Sequence, residues 1–541
     1  MPQAEWENLA SLLSIAVVAL AAAMLALCEK TPRWFGNSFH RLAATPSLCF
    51  VLIPALSFVL NVGIGFHRGI PRPLIHDEFS YLLAGDTFAH GRLTNPAPPF
   101  FEHFETPQEL VLPTRMSKYP PGQGLVTALG QIIGMPIVGI WISTAAACSA
   151  IYWMLLGFVS RPWALLGGLI AAASPTLLDW SQVYWGGSVA VLGGALLLGA
   201  WGRLMIRTSI AASVVMWLGL AVLANSRPFE GLMVALPLLT AILVQARQRI
   251  MRIVIPGFMI MGLAGSWMGY YNDRVTGHVL RMPFMEYAAQ YDVYPKFWFE
   301  PVRPTPVYRN RSQQWVHTDF EKGLYDKLRT ARGFLQVAPS RAGMLISDNL
   351  KLSALYLPFA VALVLLRDVR IRWAFISVAV LLVALWCENF DLPHYSAPVY
   401  PVLLLLVVVG MQRIWRWDKI GRKIVISLFI GFAAGAMMCI CQGASRDSMI
   451  VDQTALVNEY RELQTGRHII FVIYGPNTQL INGFNNEYVY NPADLDGSRI
   501  IWVRWFGPEA DRPVAEHFSG RSVWILDVGK QLILNHYLEQ H

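Results

Sequence analysis

Long apolar stretches recur through the first 442 residues, each long enough, or nearly so with its flanks, to cross a hydrocarbon layer of about 30 Å. The pattern predicts twelve spanning helices, at residues 9–28, 46–66, 136–158, 163–176, 186–203, 209–224, 229–245, 253–271, 350–366, 372–388, 396–412 and 424–442. Residues 121–134 form one further apolar piece, read as a juxtamembrane helix, because counting it as a span would reverse the sidedness of everything after it. Near the C-terminus the pattern changes. Three apolar, β-rich runs at 468–475, 499–507 and 522–529, separated by turn signals and a helix-sized gap, predict buried strands of a small, mostly parallel sheet.

Composition makes the membrane reading firm. Of 541 residues, 55% are hydrophobic and 14% charged, against about 25% charged in ordinary soluble domains. Disorder and a disulfide-stapled secreted scaffold are excluded, the second because only six cysteines are present. Cys28, Cys49, Cys148, Cys387, Cys439 and Cys441 all lie in or beside predicted spans without a CxxC pair, and read as packing residues. The net charge of +8 suggests nucleic acid until the basic residues are located. With twelve spans, six loops on one side carry 17 Lys and Arg, including Arg247, Arg249, Arg413 and Lys423, while the short loops of the other side carry only Arg227. Cytoplasmic loops hold such an excess, so the basic loops are assigned inside and nucleic acid is not an expected partner. The first span follows an acidic leader rather than a basic one, so it reads as an anchor with its N-terminus outside.

By the same count three polar stretches face outward: 67–120, 272–349 and 443–541. Loops beyond about 15 residues are usually functional or separately folded. The expected organisation is therefore a membrane catalytic domain over 1–442 carrying two outer loops, followed by a soluble α/β domain over 443–541. That last domain, with 12 acidic and 8 basic residues and neither a phosphate loop nor a nucleophile elbow, reads as a structural or acceptor-binding module.

Candidate chemistry gathers in the outer segments. His76, Asp77 and Glu78 open a helix soon after the membrane exit, whose Phe79, Leu82 and Leu83 share one face, as in a helix lying in the interface plane. Its carboxylates then sit at the depth of a lipid phosphate. Against this stands a structural reading, with Asp77 as an N-cap and Glu78 as a favourable first-turn charge. The first loop closes on Lys118-Tyr119-Pro120-Pro121-Gly122. Asp179, Tyr184 and Trp185 fall in the turn LDWSQVYWGGS, Arg227 lies beside Glu230 in NSRPFEG, and His394 and Tyr395 follow Pro393 at the start of a late span. His67, His76, His90 and His103 share the first loop with Asp86, Glu102 and Glu105, yet show no tight ligand spacing such as HExxH. The arginines of the second loop, Arg274, Arg281, Arg303, Arg309 and Arg311, read mainly as interface anchors.

Taken in order, Asp77-Glu78 after a membrane exit, the Lys118 to Gly122 element at re-entry and Pro393-His394-Tyr395 with Pro398 and Pro401 at a late helix resemble the GT-C superfamily of polyprenyl-phosphate-sugar glycosyltransferases. That superfamily includes the aminoarabinose transferases of lipid A, the protein O-mannosyltransferases and the RgtA/B/C/D-like bacterial enzymes. The chain departs from the family in having an additional first helix, and in Tyr119 separating Lys118 from the double proline. The resemblance implies a GT-C-like α-helical polytopic membrane protein of the bacterial inner membrane that transfers a sugar, with inversion, from a polyprenyl-phosphate donor to a glycolipid, polysaccharide or protein on the periplasmic side.

Such a donor leaves as a weakly basic phosphate, so the chemistry needs a carboxylate to activate the acceptor hydroxyl and fixed cations to grip the anion. Asp77 is expected as the base, Glu78 as its companion, Lys118, Arg227 and His394 on the phosphate, and Asp179, Tyr184, Trp185, Tyr119, Glu230 and Tyr395 as further substrate-binding residues. No cofactor is required by these motifs; some GT-C members bind a divalent ion and others none, which leaves a divalent metal open. Two rival classes remain: a secondary transporter, against which stand spans nearly free of mid-span charge and of internal repeats, and a non-catalytic scaffold of the cell envelope.

Overall fold

The computed structural model describes residues 3–27, 33–245, 250–364, 368–441, 453–474, 487–528 and 533–536. Cys28, Arg247 and Arg249 lie outside the described residues. The chain divides into two compact units. A helical unit comprises Met1–Pro71, Ile137–Ser266 and Thr330–Arg446; a mixed unit comprises Arg72–Pro136, Trp267–Arg329 and Asp447–His541. Residues 72–120 of the first long loop and 272–329 of the second thus fall with the C-terminal segment, while 330–349 belong to the helical unit; the sequence pattern drew its boundary at 442/443.

In the helical unit a helix occupies each of the twelve stretches where a span was expected. Among the described residues eight helices are long and apolar enough to cross a membrane, from Asn8–Leu25 to Asp418–Cys441. Ser188–Leu204, Ile210–Ala224 and Ser353–Val364 are shorter apolar helices, and Arg161–Ala172 has 12 residues. Proline sets several starts: Pro46, Pro162 and Pro175 occupy first-turn positions, where the missing N–H costs nothing. Elsewhere a side chain caps the first turn, as Ser209 accepts from the Ala212 N–H and Asp368 from the Arg370 N–H.

The helix Tyr400–Trp415 is apolar all round, and every residue from Tyr400 to Met411 is buried, which places it at the centre of this unit. Close backbone approach is needed there. A Cβ on Gly194 would strike the Pro398 carbonyl, and one on Gly410 would strike that of Pro358. Arg341 secures the end of another helix by donating to the carbonyls of Leu385, Glu388 (2.8 Å) and Asn389 (3.2 Å).

The mixed unit contains two sheets. Strands β1 (Asn95–Pro96), β2 (Glu109–Leu110) and β3 (Thr114–Ser117) form an antiparallel sheet in the order β1-β3-β2. Strands β4 (His468–Ile473), β5 (Ile500–Arg504), β6 (Ser522–Asp527) and β7 (Ile533–His536) form the second, in the order β5-β4-β6-β7. The three runs read from the sequence pair in parallel, and β7 adds antiparallel to β6. Strand β4 is buried from His468 to Val472, which explains its unbroken apolar run. One face packs Ile470 and Val472 with Leu456, Leu463 and Trp502. The opposite face packs Ile469 and Phe471 with Phe104, Val111 and Val514, so first-loop residues complete the core of the C-terminal sheet.

Gly410→Ala is expected to lower the apparent unfolding midpoint of the detergent-purified protein, by a destabilisation of about 1–3 kcal/mol, because the neighbour it meets is backbone and cannot rotate away. Gly262→Ala, at a helical position with nothing within 4 Å of the added carbon, is the control and leaves the midpoint unchanged or slightly raised.

Candidate functional site

The helix His76–Ala89 starts after Ile75, whose extended backbone (φ −126°) makes it the N-cap without a side-chain cap bond. Asp77 is therefore inside the first turn rather than capping it. Three consecutive side chains diverge from this turn. His76 bonds through Nδ1 to the Tyr490 hydroxyl, and Phe79 stacks on the same ring at 4.1 Å. Asp77, half-buried, accepts a hydrogen bond at Oδ1 from the Tyr119 hydroxyl. Glu78, only 2% exposed, turns back so that Oε2 accepts the Leu74 N–H at 2.7 Å, which ties the entering chain to the helix.

Tyr119 is delivered by β3 and the double proline that follows it. Its N–H donates to Ser117 Oγ (3.2 Å), Ser117 Oγ meets Ser80 Oγ at 2.7 Å, and its ring stacks on Tyr81 at 4.5 Å. Pro121 then starts the helix Pro121–Gln131. Lys118 extends over the Tyr287 ring, 4.5 Å from the centroid, and stands 5.5 Å from that of Tyr119. The sequence elements 77–78 and 118–122 are thus brought together through the Asp77–Tyr119 hydrogen bond.

The strand that precedes Tyr119 carries a buried charge. Arg115 and Glu109, each 2% exposed, form an ion pair at 3.5 Å, and Arg115 also donates to the carbonyls of Asn491 and Pro492 (2.7 Å). Burial pushes the Glu109 carboxyl up to about 7, with the Arg115 charge acting in the opposite direction.

The other expected residues fall in the helical unit. His394, buried in the 3-10 turn Pro393–Val399, has its ring 5.0 Å from that of Trp185 and 5.1 Å from that of Tyr395. The Arg227 guanidinium lies over the Tyr395 ring at 4.5 Å. These four make one cationic and aromatic cluster, in which Trp185 Nε1 is buried without a hydrogen-bond partner. Glu230 is buried at the start of the helix Pro228–Gln245. Asp179 instead pairs with Lys351 (2.6 Å), and the Tyr184 hydroxyl donates to the Pro71 carbonyl (2.9 Å).

A group that the sequence reading missed occurs in the second long loop. Asp292, His317 and Glu321 place one ligand atom each within 4.8 Å of the others, and no other metal-type group occurs among the described residues. The histidines of the first loop are engaged elsewhere: His76 with Tyr490, His90 with the Asp86 carbonyl (2.8 Å) and His103 with Asp511 (3.0 Å). Burial drives His317 down to about 4, opposed by Asp292, and drives Glu321 up to about 8. The available signal was His317-x3-Glu321, an i,i+4 pair; Asp292 precedes it by 25 residues in an irregular segment.

No family model and no curated protein matches the sequence. Among solved structures, the chain is similar to ArnT from Cupriavidus metallidurans in the apo state, with 13% identity, 90% of this chain and 93% of that chain covered and a TM-score of 0.49. ArnT bound to undecaprenyl phosphate matches at 12% identity over the same shares, with a TM-score of 0.47. The archaeal oligosaccharyltransferase AglB from Archaeoglobus fulgidus, in complex with an inhibitory peptide and a dolichol-phosphate, matches at 10% identity over 89% of this chain and 70% of that chain, with a TM-score of 0.47.

The Glu109 titration gives the mixed unit a defined pH response. Its folded value, about 7, lies above the ordinary 4.5, so the stability linked to its proton is complete below about pH 4.5 and is lost as pH rises through 7. Between pH 5 and pH 8 the unfolding free energy is expected to fall from this group by at most about 3 kcal/mol. In Glu109→Gln that part of the pH slope, measured from denaturation midpoints across the range, disappears.

Proposed function

We propose that the protein is a membrane glycosyltransferase that moves a sugar from a polyprenyl-phosphate donor to an acceptor hydroxyl, with Asp77 as the base. The observation that carries this reading is the Asp77–Tyr119 hydrogen bond, which joins the two elements of the GT-C resemblance, 77–78 and 118–122, with Lys118 alongside. Tyr119 occupies Oδ1; Oδ2 has no hydrogen-bond partner among the described residues and is the atom assigned to the acceptor proton.

In the proposed step the acceptor O–H gives its proton to Asp77 Oδ2 as the oxygen attacks the anomeric carbon. The bond from that carbon to the phosphate oxygen breaks, and the polyprenyl phosphate leaves with the electron pair. A single displacement inverts the anomeric centre. The leaving phosphate is a weak base and needs no general acid. What it needs is positive charge, and Lys118 is the cation placed beside Tyr119. Glu78 is given a supporting part, since one of its oxygens holds the Leu74 N–H that sets the helix start. The acceptor is a glycolipid, polysaccharide or protein. The side is the outer, periplasmic face of a bacterial inner membrane, in accord with the basic residues concentrated in the opposite loops.

In membrane vesicles supplied with labelled polyprenyl-phosphate sugar, Asp77→Asn is expected to cut transfer by about 10²–10⁴-fold, the usual range for a positioned acid or base. Tyr119→Phe should lower it by a smaller factor. Phosphopolyprenol sugar should be enriched among lipids co-extracted with the wild-type protein and with Asp77→Asn. Normal transfer by a correctly inserted Asp77→Asn variant, or co-extraction of bulk phospholipid alone, would refute the proposal.

A further inference from the structure

We infer that Asp292, His317 and Glu321 form a binding site for a divalent cation of the zinc type, a function that does not rest on the glycosyl-transfer reading. The distances are the first reason. His317 Nδ1 lies 3.1 Å from Glu321 Oε1 and 3.4 Å from Asp292 Oδ1. The shorter contact is also a hydrogen-bond distance, whereas the longer one to Asp292 is beyond the usual range of about 2.7–3.2 Å. Ligand atoms around a tetrahedral zinc, bonded at about 2.0–2.1 Å, stand about 3.3 Å apart.

Hydrogen-bond supply is the second reason. Nδ1 faces two carboxylates and has at most one proton for both. Asp292 Oδ1 and Glu321 Oε2 are buried without a hydrogen-bond partner. Lys118 and Arg303 are the nearby cations, yet neither makes an ion pair with these carboxylates within 4 Å. A cation among the three side chains would satisfy the oxygens that the protein leaves bare.

The imidazole is also mounted as a ligand would be. Nε2 lies 3.1 Å from the Tyr287 hydroxyl, which accepts the Gln108 N–H at 3.1 Å. In the tautomer protonated at Nε2, donation to that hydroxyl oxygen leaves the Nδ1 lone pair facing the carboxylates, the orienting arrangement usual for metal-bound histidine. The Tyr308 ring lies nearly parallel to the imidazole, with an interplanar angle of 12°. His317 itself sits in the π-turn Val316–Phe320, a one-residue insertion often found at functional sites. One nitrogen and two carboxylate oxygens, with a water completing the shell, is a donor set suited to zinc; magnesium and calcium favour more oxygens.

The test uses the full-length protein in detergent, stripped with chelator, dialysed against zinc chloride or magnesium chloride alone, and analysed for bound metal and by zinc-edge X-ray absorption. About one zinc per chain is expected, with a first shell of nitrogen and oxygen, a raised thermal midpoint and no retention of magnesium. Glu321→Gln should weaken binding by about 100-fold, and Tyr287→Phe, which removes only the orienting hydroxyl, by about 10-fold. A sulfur shell, which would place the metal on cysteine, overturns the proposal in the unmodified protein without recourse to variants. Zinc retention unchanged in both variants, or none in the wild type, overturns it as well.

Discussion

The buried guanidinium of Arg115 is the contact on which the mixed unit turns. It sits in β3, pairs with Glu109 on β2 across the small sheet, and donates to the carbonyls of Asn491 and Pro492, residues more than 370 positions away. A buried charge without partners costs several kcal/mol, so the fold must bring those carbonyls to it or leave it uncompensated. Two residues beyond Ser117, the last residue of β3, stands Tyr119. The strand that Arg115 anchors is thus the strand that places the Tyr119 hydroxyl on Asp77. A charge with no chemical part in the proposed step sets the geometry of the group that has one.

The two units solve the problem of backbone polarity differently. In the helical unit most peptide groups are satisfied within each helix, with side chains such as Arg341 taking up carbonyls at helix ends, and glycines such as Gly194 and Gly410 allow backbones to touch. In the mixed unit short strands and irregular segments leave many peptide groups exposed to burial, and polar side chains take them up: Ser80 donates to the Gln108 carbonyl (2.6 Å), and Asp86 accepts the Ala493 N–H (2.7 Å). The candidate chemistry lies in both kinds of setting, and in the mixed unit phenols from distant segments meet carboxylates, as Tyr119 meets Asp77 and Tyr291 meets Glu105.

The helix at 76–89, the element at 118–122 and the three C-terminal strands were legible because each is announced locally, by an apolar face, a double proline or a β-rich run. The same local logic suggested that Asp77 caps its helix, yet Ile75 takes that position and Glu78 supplies the backward bond to Leu74 N–H. Residue type gave no hint that Asp179 would meet Lys351, nor that Tyr184 would reach the Pro71 carbonyl, since these partners are remote along the chain. Asp292, His317 and Glu321 escaped notice for a related reason: two of the three share a helical spacing, but the third comes from a segment without periodicity.

By itself the sequence determined what depends on solvent and on neighbours a few residues away. Apolar length dictated the membrane-spanning helices, the runs at 468, 500 and 522 dictated parallel strands, and the order of motifs named the carboxylate and the tyrosine of interest. Only the tertiary structure decided which distant groups meet: Phe104 and Val111 under the C-terminal sheet, Tyr119 on Asp77, Tyr490 on His76, and a histidine between two carboxylates. Those pairings follow from packing density and from the cost of leaving buried polar groups without partners, conditions that act through space and leave no period along the chain.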